Sequence, residues 1–321
     1  MNLKDETSPP KKNSKKGESA AKRRRMSLAQ NKALLVSAIN TAKKTRAKSL
    51  FIYIDALEES LLVTRLPVRI PSDLKLILVT KKNNYSYSGD LPIKDVVTIP
   101  RLKLGRMGLV KISVVFALST KLIESDERIV FLLGKSVTTT LDMILCLQLN
   151  EESELLTGHS IAEIPDTINS AVFEYTLSLA IEMGNKGKEG KPVGTIFVLG
   201  DEERVMQLSK QMIINPFKGY EPDERNILNP ALKETLRELS SVDGAFVITG
   251  DGEILTAGRY LGAAMEDSDI PRGLGARHLA AAGITALTNA VAIVISESTG
   301  DVRIFRNGKI VMEIEKPIHN K

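Results

Sequence analysis

The feature that most limits the fold of this chain is a series of short, almost uninterrupted apolar runs. They occur at residues 50–54, 76–79, 96–99, 129–133, 195–199 and 291–295. Runs of this length predict strands that are buried on both faces. Helical patterns lie between several of them, including 107–123 and 136–148. This alternation of strands and helices predicts an α/β fold.

Length and element pattern together indicate two domains. The chain has 321 residues, enough for two hydrophobic cores of ordinary size. We expect a small N-terminal α/β domain with a parallel sheet at residues 27–160, its first helix capped by Ser27. A second α/β domain, with a mixed central sheet, is expected at residues 161–321. It contains a predicted hairpin at 245–257 with the turn Gly250-Asp251-Gly252.

Positive charge is concentrated at the N-terminus. The net charge of the chain is +5, but residues 1–25 carry nine Lys/Arg and three Asp/Glu, so the rest of the chain is close to neutral. Because this stretch has few apolar residues to bury, residues 1–26 are predicted to form a disordered basic tail. Weak electrostatic contact of the tail with nucleic acid or with an anionic membrane surface is an alternative role. The chain has 4% aromatic residues and no Trp, which disfavours a base-stacking surface.

The sequence also predicts a cellular location. No apolar run reaches the roughly 18 residues that a membrane-spanning helix needs. The N-terminus has no apolar signal core, and the single cysteine, Cys146, excludes an intrachain disulfide. We therefore expect a cytoplasmic protein without membrane insertion.

Three short segments of the second domain carry residue types that bind phosphate. The first hairpin strand begins with Asp243-Gly244-Ala245, a helix opens with Gly275-Ala276-Arg277-His278, and the strand at 291–295 is followed by Ser296-Glu297. Glycine before a helix exposes backbone N–H groups, and arginine adds a bidentate donor for phosphate oxygens. Histidine adds a second donor or a metal ligand. Each segment alone also fits a turn, a core histidine or a polar strand end, but their combination favours a phosphate site.

Together these residues resemble the diadenylate cyclase domain, which joins two ATP molecules into cyclic di-AMP. The resemblance covers roughly residues 168–317 and extends to Gly194-Thr195, Gly200-Asp201 and the loop Pro216-Phe217-Lys218-Gly219. The N-terminal half is similar, in pattern only, to the small α/β domain at the C-terminal end of pyruvate kinase. A domain of that type precedes the cyclase domain in archaeal-type diadenylate cyclases.

The resemblance implies a role for each residue. Asp243 would help to activate a ribose 3′-hydroxyl, and Asp243, Glu297 and His278 would bind a divalent metal, Mn²⁺ or Mg²⁺. Arg277 and His278 would hold phosphates, so the implied catalytic residues are Asp243, Arg277 and His278. The implied ATP-binding residues form a larger set, in which Leu261 is near the adenine: Gly244, Ala245, Leu261, Gly275, Ala276, Arg277, His278, Ser296 and Glu297.

The implied reaction is the condensation of two ATP molecules into cyclic di-AMP and two pyrophosphates. Each 3′-oxygen would attack the α-phosphorus of the other nucleotide, so that two nucleotides must face each other. One site holds one ATP. The implied partners are therefore ATP and a second copy of the chain, in a homo-oligomer with face-to-face cyclase domains.

Three residues depart from the family pattern. Ala276 stands where the family commonly has Thr, Leu279 where it has Arg, and Ser298 where it often has a second acid after Glu297. These departures remove a hydroxyl contact to phosphate, a cation and a carboxylate. The alternative function is a catalytically weak sensor that binds ATP or cyclic di-AMP in the same pocket.

Overall fold

The computed structural model describes residues 12–57, 61, 66–102, 104–135, 139–151, 164–187, 193–262 and 274–316. They form two compact units, one within 1–80, 85–96 and 130–146, the other within 81–84, 97–129 and 147–321. Residues 97–129 group with the second unit, although the sequence analysis assigns them to the N-terminal domain, because their helix packs on elements of that unit. The predicted boundary near residue 160 stays a prediction.

The first unit is built on a five-stranded sheet. Its elements are α1 (Lys12–Thr45), β1 (Ser49–Tyr53), β2 (Lys75–Thr80), β3 (Ile93–Thr98), β4 (Arg128–Lys135) and β5 (Thr140–Gln148). The strand order is β3-β2-β1-β4-β5, with β1 and β2 parallel. Phe51 of β1 stacks on Phe131 of β4 with 4.4 Å between ring centroids. Only four residues join β4 to β5, too few for a parallel crossover, so these two strands form a hairpin.

The strand β5 occupies a segment that the sequence analysis assigns to a helix at 136–148, and that prediction is wrong. β-Branched residues fill positions 137–140, and such side chains disfavour a helix and favour a strand. Asn31 of α1 holds β5 in place: its side chain accepts a hydrogen bond from the Leu141 N–H at 2.7 Å and donates to the Thr139 carbonyl at 2.8 Å. The helix predicted at 107–123 is confirmed as α2 (Arg106–Ser119).

Helix α1 begins earlier than predicted. It starts at Lys12 rather than Ser27, so the backbone of residues 12–26 is helical where the sequence analysis predicts disorder. Lys, Arg, Ala and Glu are frequent in this stretch, and their helix propensity lets the helix continue without an apolar face. Ser27 lies inside the helix, and its hydroxyl donates to the Thr139 carbonyl at 3.0 Å instead of capping. The remainder of the predicted tail, residues 1–11, lies outside the described residues.

The second unit is built on a seven-stranded mixed sheet, which confirms the predicted α/β fold with a mixed central sheet. Besides α2, it contains α3 (Ser170–Lys186), β6 (Thr195–Leu199), α4 (Glu202–Gln207), β7 (Ser209–Gln211), α5 (Lys233–Leu239), β8 (Ala245–Ile248), β9 (Ile254–Leu261), α6 (Ala276–Leu287), β10 (Val291–Ile295), β11 (Val302–Arg306) and β12 (Lys309–Ile314). The strand order is β12-β11-β10-β6-β8-β9-β7. Only β6 and β8 run parallel, and the other five neighbouring pairs are antiparallel.

Helices α3 and α6 cover opposite faces of this sheet. Val294 of β10 packs in the apolar core that includes Ala281, Ala282 and Ile284 of α6, whereas the next residue, Ile295, reaches Gly184 of α3. Successive side chains of a strand point to opposite faces, so the two helices lie on either side. The backbone of α3 also approaches the turn after β10 closely, since a Cβ on Gly184 would lie 2.3 Å from the Gly300 carbonyl oxygen.

The strand directions bring several chain segments to one edge of the sheet. β6 and β8 begin at this edge, whereas the antiparallel strands β9 and β10 end there. The residues just before β6 and β8 therefore lie near the residues that close β9 and follow β10. This edge carries the three phosphate-binding segments predicted from the sequence.

None of the helices in the described ranges is long and apolar enough to cross a membrane.

Candidate active site

A cavity of about 500 Å³ opens at this edge of the seven-stranded sheet. All of the site residues predicted from the sequence line it, so the structure brings the three segments together. They are Asp243, Gly244, Ala245, Leu261, Gly275, Ala276, Arg277, His278, Ser296 and Glu297. The individual roles of these residues stay predictions.

The side chain of Arg277 bridges two carboxylates at the cavity. Its Nη2 donates to Asp243 Oδ1 at 2.9 Å, and its Nη1 donates to Glu297 Oε2 at 2.6 Å. The Arg277 side chain is 29% exposed, whereas those of Asp243 and Glu297 are 87% and 63% exposed. Because exposed ion pairs contribute little to stability, this arrangement is better suited to exchange partners with a charged ligand than to hold the fold together.

Two glycines allow the backbone to form this arrangement. Gly244 has φ +110°, and a Cβ there would lie 2.5 Å from the Arg259 backbone nitrogen. A Cβ on Gly194, just before β6, would lie 2.7 Å from Glu297 Cβ and 3.0 Å from Arg277 Nη1. Glycine at 194 therefore leaves the room that the Arg277–Glu297 pair occupies.

The first turn of α6 delivers the arginine and the histidine. Gly275 is the N-cap residue, with extended backbone, and a Cβ there would meet nothing within 4 Å. The next turns pack their small residues against the sheet, with Ala281 and Ala282 fully buried. The positive end of the helix dipole therefore faces the cavity, where an anion is stabilised.

His278 lies at the inner side of the cavity and is only 6% exposed. Its Nε2 is 3.0 Å from Arg303 Nη1 of β11. Burial, together with the charges of Arg303 and Arg277, lowers the pKa of His278 from 6.5 to about 4. The imidazole is therefore neutral at physiological pH.

This pKa predicts that the protein loses stability in mild acid. The unfolded chain takes up a proton on this histidine below pH 6.5, but the folded protein does so only near pH 4. The stabilisation that comes from keeping His278 neutral is fully present above pH 6.5. It is lost as the pH falls towards 4, and the free energy of unfolding is lower by about 2 kcal/mol at pH 5. Urea unfolding at pH 7.5 and pH 5 should show this extra loss in the wild type relative to His278→Gln. Equal pH dependence in the two proteins would contradict the assignment.

The turn that carries Glu297 is closed by its own hydrogen bonds. The Ser296 N–H donates to the Asp301 carbonyl at 2.9 Å, and the Gly300 N–H donates to the Ser296 carbonyl at 2.8 Å. The Ser296 hydroxyl is 3.2 Å from the Ser298 hydroxyl. Ser298, one of the departures from the family pattern, thus lines the cavity as a hydroxyl rather than as an acid.

Several residues of the site were missed by the sequence analysis. The cavity wall also contains Ile196, Met212, Arg259, Tyr260 and Ala280. Arg259 fixes the wall next to β7, since its Nε donates to the Ser209 hydroxyl at 2.7 Å and its Nη2 to the Met206 carbonyl at 2.8 Å. Arg259 follows the predicted hairpin, which ends at residue 257, and an arginine this close to an apolar strand is a signal that could have identified it.

The predicted metal ligands do not form a ready-made metal site. Within the described ranges, no group of three or more His, Cys, Asp or Glu side chains is arranged to hold a metal ion. Asp243 and Glu297 offer oxygen ligands, which suit Mg²⁺ and Mn²⁺ when substrate phosphates complete the coordination. His278 fits less well, because its Nε2 is in contact with the Arg303 guanidinium.

Comparison with known proteins places this site in a family. A family model described as DisA bacterial checkpoint controller nucleotide-binding matches residues 182–310, which contain the whole cavity lining. A diadenylate cyclase of Methanocaldococcus jannaschii is 41% identical over 211 residues, which are 65% of this chain and 67% of that protein. A diadenylate cyclase of Haloferax volcanii is 46% identical over 144 residues, which are 45% of this chain and 52% of that protein.

The α/β fold and the cavity that the family model covers define a nucleotide-binding protein. The similar proteins identify which kind of nucleotide-binding protein it is. The chain belongs to the diadenylate cyclase family and is an enzyme of that class. Among solved structures, a crystal structure of DacA from Staphylococcus aureus matches with a TM-score of 0.31 and 23% sequence identity. The match covers 45% of this chain and 87% of the DacA chain.

Proposed function

We propose that this protein condenses two ATP molecules into cyclic di-AMP and two pyrophosphates, each ribose 3′-oxygen attacking the α-phosphorus of the other nucleotide. The observation that supports this most is the Arg277 guanidinium held between the carboxylates of Asp243 and Glu297 at the mouth of the cavity. The cavity thus combines a cation for phosphate with carboxylates for a hydroxyl proton and a metal. Phosphoryl transfer needs positioning and charge neutralisation more than covalent chemistry by the protein.

Binding of a triphosphate would exchange the partners of Arg277. Phosphate oxygens compete with the two carboxylates for the guanidinium, and the N-terminus of α6 adds backbone N–H groups to the same site. The Asp243 side chain is 87% exposed in this structure. When Arg277 turns to phosphate, the Asp243 carboxylate would be free to accept the 3′-hydroxyl proton. Arg277 would then neutralise charge at the phosphates in the transition state.

The proposed cofactor is Mn²⁺ or Mg²⁺. Asp243 and Glu297 would hold it together with phosphate oxygens, as the chemistry of their oxygen ligands allows. When bound, the ion would supply charge neutralisation at the phosphates. His278 is proposed to donate a hydrogen bond to a phosphate oxygen rather than to bind the metal.

The apolar part of the cavity would receive the adenine. Ala245, Leu261 and Ile196 line it and are nearly or fully buried. A flat aromatic base gains free energy when it displaces water from such a surface. The cavity volume of about 500 Å³ suits one nucleotide.

Because one cavity holds one nucleotide, we propose that two copies of the chain meet face to face. Next to the cavity lie exposed apolar side chains, which are Met212 at 47%, Ile213 at 39%, Ile214 at 94% and Tyr260 at 59% exposure. We call these four residues the rim patch. Apolar surface of this kind often marks an interaction site, and a second copy would cover it while facing the first nucleotide.

The rim patch makes a testable prediction about self-association. Ile214→Asp should raise the dissociation constant of the dimer at least tenfold, because a charge would enter an apolar contact. Leu287→Asp is the matched control, since Leu287 is 51% exposed at the opposite end of α6. Sedimentation and specific activity over a dilution series measure both effects. Unchanged association of the Ile214 variant would contradict this interface.

The proposed reaction is tested by incubating the protein with ATP and Mn²⁺ or Mg²⁺ and identifying the product by mass. We expect cyclic di-AMP and pyrophosphate from ATP. 3′-Deoxy-ATP, which lacks the attacking oxygen, should bind but yield no cyclic product. Absence of cyclic di-AMP with either metal over a range of protein concentrations would refute the proposal. Nucleotide binding without turnover would then favour the sensor.

Two further expectations stay predictions. The cytoplasmic location and the weak contact of the basic N-terminal segment with nucleic acid rest on composition. Nucleic-acid binding through this segment should weaken steeply with salt and disappear when residues 1–25 are removed.

A further inference from the structure

The histidine of the cavity is in contact with a second arginine from a different element. His278 Nε2 is 3.0 Å from Arg303 Nη1, and the Arg303 side chain is 12% exposed. Arg303 is on β11, directly opposite Glu313 of β12, and its Nη2 donates a hydrogen bond to the Glu313 carboxylate. Asp301 Oδ2 lies 3.9 Å from the same Nη2. Two carboxylates thus lie at Nη2 of the guanidinium, while its Nη1 contacts the imidazole.

This contact determines which ring nitrogen carries the proton. A guanidinium only donates hydrogen bonds, so His278 Nε2 must accept one. The neutral ring then carries its proton on Nδ1. His278 lines the cavity, and its Nδ1–H is the only ring N–H that it can offer to a ligand there.

We propose that Arg303 is a positioning residue for the cyclase reaction: acting through His278, it fixes the ring orientation and the Nδ1–H tautomer that donates to a nucleotide phosphate. The proposal rests on the proposed function of the cavity. Its chain of contacts runs from Glu313 through Arg303 to His278. The edge strand β12 and its neighbour β11 therefore contribute to the site, although only His278 of this chain of contacts lines the cavity.

The tautomer can be measured directly, because the chain contains only three histidines. In protein labelled with ¹⁵N at histidine, His278→Gln identifies the His278 signals. The wild type should show an unprotonated Nε2 and a protonated Nδ1. Arg303→Met should remove this preference, whereas Arg306→Met should not, since Arg306 on the same strand donates to the Asn289 carbonyl instead. A wild-type His278 protonated on Nε2 would overturn the proposal.

Kinetics tests whether the effect passes through the histidine. We expect Arg303→Met to lower kcat/KM for ATP about tenfold, the effect of losing one hydrogen bond to a charged group. In a His278→Gln background the same substitution should change kcat/KM less than twofold, because the residue it acts on is gone. Arg303→Lys, which keeps a donor, should recover part of the loss. Full additivity of the two substitutions would show that Arg303 does not act through His278.

Two further measurements keep the test decisive. If Arg303→Met leaves Glu313 unpaired and destabilises the fold, Arg303→Met combined with Glu313→Gln removes both charges and gives the same tautomer readout. If the wild type makes no cyclic di-AMP, ATP affinity replaces kcat/KM. The tautomer and the affinity then decide the role of Arg303 independently of the proposed reaction.

Discussion

Replacement of Asp243 by asparagine is expected to lower kcat for cyclic di-AMP formation about a thousandfold, within the range for loss of a general base. Asparagine has the same shape and can still accept a hydrogen bond from Arg277, so the local structure should persist. It carries no charge to take the 3′-hydroxyl proton or to bind a metal. KM for ATP should stay the same or fall, because a negative charge leaves the triphosphate site.

The control for this variant is Asp251→Asn. Asp251 is an exposed carboxylate in the turn between β8 and β9, at the end of this hairpin opposite to Asp243. Its replacement should change kcat less than twofold. Initial rates over a range of ATP concentrations separate kcat from KM in both variants. An Asp243→Asn enzyme with more than a tenth of wild-type kcat would exclude Asp243 as the base.

Replacement of Arg277 by methionine is expected to lower kcat/KM by roughly two to four orders of magnitude. The substitution removes about two charged hydrogen bonds to phosphate, each contributing about 1.5–3 kcal/mol. It also leaves Asp243 and Glu297 without the cation that bridges them. Arg277→Lys should restore little activity, because a single ammonium does not reproduce the planar fork that contacts two partners at once.

The matched control for Arg277 is Arg237→Met. Arg237 of α5 also contacts two carboxylates, at 2.9 Å from Glu234 and 3.4 Å from Glu182, but it does not line the cavity. This variant should lose stability but keep kcat/KM within about twofold. Titration with ATP should show weaker binding for the Arg277 variant alone. Activity of Arg277→Lys close to the wild type would contradict the bridging role.

The parts of the fold that were predictable are those in which local pattern and burial agree. The apolar run 291–295 forms β10, and residues 50–53 of the run 50–54 lie in β1, because such runs are buried in the middle of a sheet; Ile54 begins a 3-10 helix. The segment 136–148 was misassigned because its apolar residues fit both a helix and a strand, and pairing with β4 decided between them. The start of α1 was missed because helix propensity, not an apolar face, extends it.

The part of the site that was predictable consists of residues in short sequence segments with a recognisable pattern. Asp243, Arg277 and Glu297 each stand beside a recognisable strand or helix end, and the sheet topology brings these ends together. Arg303 was not predictable, because its contact with His278 depends on the register of β10 with β11 and on the position of α6. Leu279 removes the cation that the family commonly has next to His278, and Arg303 provides a cation 3.0 Å from the same histidine.

The close approach of α3 to the turn after β10 has a mechanical consequence. The nearest neighbours of Gly184 and Gly300 include each other's backbone atoms, so a side chain at either position would collide with the opposite backbone. The turn that ends at Gly300 also carries Glu297, which is bonded to Arg277. Because packed backbones leave little free space, a displacement of α3 at this point would also displace the turn that carries the carboxylate.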